Sequence, residues 1–137
     1  MPRRSAFTII YRKNKYKTTK YRIYVDYMSP IESRICLYRI VNKIDNIPHL
    51  IAITRPDFLG DIQVCLVDYI IYVNRPEAII VGVNQMIEDY SEGSYRYLAI
   101  NNDTITYFPT LEQMGFRQME ELDPRGDLFF LKINQKK

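Results

Sequence analysis

Apolar residues along this chain recur with two different periods, and the switches between them mark out the elements. Phe7 to Tyr11 is a short β-prone run. After the polar stretch RKNKYKTTK, the segment YRIYVDY puts Tyr21, Ile23, Val25 and Tyr27 on one face, the alternation of a half-buried strand. Together the two runs predict a β-hairpin. At Ser29 the pattern changes. Ser29, Pro30 and Glu32 make a helix start, with a Ser cap, Pro at the first helical position and a capping-box Glu. Ile31, Ile35, Tyr38 and Val41 then share one helical face, and the helix is expected to end near residues 42–46. His49 to Thr54 predicts a strand stopped by Arg55-Pro56. Gly60-Asp61 marks a turn.

The second half is more regular. QVCLVDYIIYV is branched and aromatic on both faces, as a central strand is. Asn74-Arg75-Pro76-Glu77 ends it, and a helix is expected from about Ala78 to Ser91, with Ile79, Val83, Met86 and Ile87 on its apolar side and Gly93 as its stop. YRYLAI predicts a strand, and Asp103 or Thr104 caps a short helix that ends at Met114-Gly115-Phe116. FRQMEEL and DLFFLKI, separated by Asp123-Pro124-Arg125-Gly126, predict a terminal hairpin. A strand–helix–strand unit of this kind brings its two strands parallel and adjacent.

Length narrows the picture further. The 137 residues suit a single domain spanning residues 1–137, with 1–28 as a basic hairpin or arm and 29–137 as the core. No apolar run approaches the roughly 20 residues that cross a bilayer, and the N-terminus lacks the apolar stretch of a signal peptide. The expectation is a cytoplasmic protein, of the cell or of a host, with no membrane partner. Cys36 and Cys65 are far apart in sequence and the lone His49 has no companion, so no metal site is expected and the thiols read as small buried hydrophobes. The Ile/Tyr-rich, Trp-free composition suits an AT-rich genome, such as that of a phage, a virus or a low-GC microbe.

From Gln63 to Ile133 the expected order is strand, helix, strand, helix, strand, strand, with Pro76-Glu77 opening the first helix and Gly115-Phe116 closing the second. This order resembles the GNAT superfamily of N-acetyltransferases over slightly more than half the chain. Family members read V-x-P-E-x-R-G-x-G-[IV]-G after their fourth strand. Here VNRPEAIIVGVNQMIEDY keeps Pro76-Glu77, Gly82 and Val83, while Ile79, Ile80 and Asn84 stand where the family has Arg and two of its glycines. YLAINND resembles the fifth strand and TLEQMGFRQMEEL the family's closing helix and strand.

The resemblance implies an α/β (α+β) fold: a GNAT-like mixed sheet with helices on both faces, preceded by the basic hairpin. It implies an acyl-CoA-dependent N-acetyltransferase using acetyl-CoA and an amine acceptor, with activity weakened or lost where the loop departs from the family. Backbone N–H groups at a helix start bind the pyrophosphate in such a loop, and glycines permit the close approach. The residues implied for the cofactor are Val73, Arg75, Gly82, Val83, Asn84 and Asn102. Two β-branched isoleucines resist such a loop, so a plain helix start that binds nothing is the competing reading. For catalysis the resemblance implies an acid on a central strand and a Tyr before the Gly-Phe pair. Asp68 is the base candidate, provided that burial raises its pKa. Leu111 occupies the usual Tyr position, which leaves Tyr107 as the substitute. The competing readings are an Asp68 paired with a neighbouring Arg or Lys and a Tyr107 that is one core aromatic among 12 tyrosines.

Charge opens a second class of function. Residues 1–27 carry eight Lys/Arg against Asp26 alone, a local balance of +7, on a body of −4. Arg12, Lys13, Lys15, Lys17, Lys20 and Arg22, interleaved with tyrosines, suit nucleic acid: cations neutralise phosphates and aromatic faces stack on bases. The same composition describes a solvated edge hairpin, or an arm by which a catalytically dead GNAT-like module docks on a larger assembly.

Overall fold

The computed structural model describes residues 7–12, 20–28, 34–72, 75–101 and 108–134 of the chain. The described elements are β1 (Phe7–Arg12), β2 (Tyr21–Met28), β3 (Cys36–Asn42), β4 (Pro48–Leu59), β5 (Ile62–Tyr72), α1 (Pro76–Tyr90), β6 (Tyr97–Asn101), α2 (Phe108–Met114) and β7 (Leu128–Lys132). The strands form one seven-stranded sheet in sequence order. Every join is antiparallel except β5–β6, which α1 connects as a parallel pair. The architecture is mixed α+β, with few helices.

The helix expected after Ser29 is instead strand β3, and its expected start at residues 29–33 lies outside the described residues. Ile35, Tyr38 and Val41 are spaced by three and fit a helix face, but Cys36, Tyr38 and Ile40 alternate by two, so the apolar run satisfies either period. Pairing decides. Cys36, Tyr38 and Ile40 are buried on the α1 side, Leu37 and Arg39 lie opposite, and β3 is hydrogen-bonded between β2 and β4. Nor does β4 stop at Arg55-Pro56. It runs on to Leu59, with Pro56 opposite Cys65 of β5. Pairing with β3 ends at Thr54, so from Arg55 onward β4 has a neighbour on one side only, where a residue without an N–H is accommodated.

The terminal hairpin also differs from expectation. β7 pairs antiparallel with β6, and the FRQMEEL segment pairs with it only by an isolated bridge from Arg117 to Phe130 before turning at Met119 to Leu122. Finally, helices do not flank both faces among the described residues. Leu111 of α2 and Phe116 just beyond it share one buried cluster with α1 and with Tyr21, Ile23, Tyr38, Leu50 and Leu98 on the same side of the sheet. On the other side, near β6 and β7, Met119 and Leu122 cover Ala99 and Phe130 from a loop.

β5 carries a defect that shapes this end of the sheet. Ile53 of β4 faces Tyr69 while the next residue, Thr54, faces Val67, so Asp68 is an extra residue in β5. Such a bulge bends its strand and shifts the alternation by one. Cys65 and Val67 before it and Ile70 after it therefore all pack against the α1 side. Pairing with β6 stops at Val67–Ile100, and β5 continues past it to Tyr72.

Candidate functional site

The start of α1 is where the sequence places a cofactor loop. Only residues 73–75 separate β5 from α1, and the helix begins at Pro76. Proline at this position brings no N–H. The Ala78 N–H is bonded to the Arg75 carbonyl at 3.0 Å, and Arg75, at the cap, makes no side-chain capping bond. Gly82, Val83 and Asn84, expected to turn their amides toward a diphosphate, lie well inside the 15-residue helix, where amides are committed to the i→i−4 ladder. Gly82 and Val83 are buried. Gly82 is glycine because the Leu50 side chain packs onto the helix backbone there, leaving no room for a Cβ. Ile79 is buried in the core and Ile80 is partly exposed. The backbone of Gly82, Val83 and Asn84 thus belongs to the body of α1 and not to the turn that precedes it.

The catalytic expectation meets a similar obstacle. Asp68 is exposed, not buried, and accepts a 2.6 Å charge-assisted hydrogen bond from Arg55 Nε, whose Nη1 also approaches Asp57. The burial that the catalytic reading requires is absent, and the pairing with a neighbouring arginine is what the bulge produces. Tyr107, Val73, Asn102, Lys13, Lys15 and Lys17 lie outside the described residues. Arg12 closes β1 opposite Ile23. Lys20 is exposed and reaches Glu77 of α1 at 3.1 Å, and Arg22 is half-buried on the sheet face away from α1.

The same end of the sheet holds a polar chain that no motif in the sequence marks. The buried Tyr21 hydroxyl meets His49 Nδ1 at 3.1 Å, and His49 Nε2 meets Asp45 Oδ2 at 3.0 Å. With Asp45 a carboxylate, Nε2 donates to it and Nδ1 accepts from Tyr21. The Ile47 N–H, and then His49, hold the Asp45 carboxyl below the usual carboxylate range. Burial, with the nearby Glu77 charge second, pushes the Tyr21 hydroxyl up. Asn42 Oδ1 accepts from the N–H groups of Ile44 and Asp45, and Asn46 sits in a left-handed conformation with φ 61°. The result is a braced β3–β4 turn beside the α1 start. His49 is therefore a fully partnered core histidine, and its companions come from β2 and the turn.

At the opposite end of α1 a cavity of about 420 Å³ opens among Tyr27, Tyr38, Tyr90, Tyr95 and Asp89. The Tyr38 hydroxyl donates to Asp89 Oδ2 at 2.7 Å, and Gln85 donates to Oδ1 at 2.9 Å. Tyr90 shares a hydrogen bond with Thr54 at 2.8 Å, and its ring meets Tyr95 edge-on with centroids 4.8 Å apart. Cys36 and Cys65 are both buried thiols outside any disulfide, and the Cys36 thiol lies 3.6 Å from the Arg34 carbonyl and 3.8 Å from the Tyr90 hydroxyl. Burial pushes the Cys65 thiol and the Tyr90 and Tyr38 hydroxyls well above their usual values, so neither that thiol nor these phenols ionise near neutral pH. Among the described residues no helix is long and apolar enough to cross a membrane. Comparison with known proteins yields no matching family model and no matching curated protein.

Proposed function

We propose that the chain is a GNAT-like scaffold that has given up acyl-CoA chemistry and works as a nucleic-acid-binding module through its basic first segment. What supports the loss of acyl transfer is the three-residue connection from Tyr72 to Pro76, together with the burial of Gly82 and Val83 inside α1. What supports the relationship to the fold is the β5–α1–β6 unit, whose parallel strands pair over Val64 to Val67 only.

The observation that carries the binding role is a gathering of cations. Arg12 at the end of β1, Lys20 before β2, Lys43 after β3 and Arg75 before α1 all belong to one end of the sheet. Lys13, Lys15 and Lys17 follow Arg12 in the sequence and add to the same local positive charge. Lys20 and Arg75 also flank the start of a helix, where the dipole favours negative charge. Phosphates meeting this end release counterions, so affinity falls steeply with salt.

Fluorescence anisotropy with a labelled single-stranded oligonucleotide tests this. The wild type is expected to bind with a steep negative slope of log affinity against log salt. Replacing Lys13, Lys15, Lys17 and Lys20 by Glu is expected to flatten that slope by about 3, at roughly 0.7 for each phosphate no longer neutralised. Salt-independent binding, or no binding at low salt, removes the nucleic-acid reading. In parallel, thermal unfolding with millimolar acetyl-CoA is expected to show no shift; a clear stabilisation restores the acyltransferase reading, which the parallel strand pair favours.

A further inference from the structure

The charges at the far end of α1 run against the helix that carries them. A helix C-terminus is the negative pole of its dipole and favours cations, yet the last turn of α1 has no basic residue and ends with Glu88 and Asp89, followed by Glu92. These acids stand where a fold optimised only for stability places Lys or Arg. They also stand at the cavity. Asp89 and Glu92 line it with Tyr27, Tyr38, Tyr90 and Tyr95, and among the described residues Arg34 is the one guanidinium in its wall.

We propose that this cavity binds a small organic cation, a primary or quaternary ammonium with an apolar body. Among the described lining residues, two carboxylates against one guanidinium leave a balance of −1, which a monocation neutralises. The helix dipole adds to the same sign. The half-buried Tyr27 offers the cavity aromatic surface of the kind that receives an ammonium, beside the almost fully buried Tyr38, Tyr90 and Tyr95. Asp89 is held in place from two sides, by the Tyr38 hydroxyl at 2.7 Å and the Gln85 amide at 2.9 Å, so its carboxylate is oriented before a ligand arrives. At about 420 Å³ the cavity is of small-molecule size. Arg34, with a left-handed backbone φ of 57°, is the cation among the described lining residues.

The site is separate from the basic end of the sheet and stands whether or not that end binds nucleic acid. Isothermal titration of the full chain with choline is the test, with 3,3-dimethylbutan-1-ol as the neutral isostere of nearly the same shape. Choline is expected to bind saturably and to raise the unfolding temperature, and the neutral isostere to bind at least about tenfold more weakly. Asp89→Asn is expected to lose at least about tenfold in choline affinity. Should that variant fail to fold, the exposed Glu92→Gln and the half-buried Tyr27→Leu carry the same expectation of a several-fold loss. Failure of choline to bind, equal binding of the neutral isostere, or unchanged affinity in Glu92→Gln and Tyr27→Leu together overturns the proposal.

Discussion

Gly82 shows how one residue type supports two incompatible readings. Glycine brings a backbone close either to a phosphate or to a packed side chain. Here the neighbour is Leu50, itself buried, with Ile40 next to it. Gly82→Ala gains about 1 kcal/mol of helix propensity but overpacks a tight contact, so a net loss of about 1–2 kcal/mol in urea unfolding is expected. A gain in stability instead contradicts the packing role. Asp45 carries a second prediction at this scale. Its folded pKa is depressed, so its contribution is present above the unfolded value of 3.8 and fades as pH falls through the lower folded value. Asn at this position keeps an acceptor for Ile47 but loses the titration. The wild-type unfolding temperature is therefore expected to fall more steeply than that of Asp45→Asn as pH drops from about 5 to about 2, and parallel curves contradict the assignment. Nothing in the sequence marks Asp45, Tyr21 and His49 as partners, because the turn and β2 meet only after the sheet forms.

Among the elements, β3 and β5 show why period alone misleads. In β3 an apolar spacing of three fits a helix face, and the alternation by two beside it fits a strand. A good capping box at Ser29 favours the helix, but hydrogen bonding to two flanking strands outweighs that local signal. In β5 the apolar run on both faces was legible, and so was its central place. The bulge was not, since it exists only in register with β4. Its position makes a deletion experiment informative. Removing Asp68 leaves Cys65, Val67 and Ile70 facing α1 in plain alternation. Removing Leu66 either turns Cys65 outward or drives Asp68 into the core. The Asp68 deletion is expected to keep a cooperative unfolding transition, and the Leu66 deletion to lose it. The opposite ranking in a thermal melt refutes the register. Replacing Asp68 itself removes only an exposed ion pair, worth less than about 1 kcal/mol.

At the scale of the whole molecule, α1 runs between two unlike ends. Its start lies at the end of the sheet that carries Lys20, Lys43 and Arg75, and its finish carries Glu88 and Asp89, with Glu92 just beyond. The salt dependence of oligonucleotide binding reports on the first end and the choline titration on the second, so each can fail without the other. The cations were countable from the sequence. Their convergence on one end of the sheet follows from the order of the strands, which alternates the chain between the two ends at every antiparallel join.

The amino-acid sequence by itself determined the local choices: alternation that makes β2, the apolar run of β5, Pro76 at the start of α1, and the Gly115 stop with its left-handed φ of 108°. These depend on neighbours a few residues away, and short-range sterics and burial settle them. The tertiary structure alone decided that the residues after Ser29 end in a strand, that Asp68 is bulged out to Arg55, and that Gly82 faces Leu50 inside the core. Each of these is a contact between segments distant in sequence, and pairing energy there exceeds the local preference that points elsewhere.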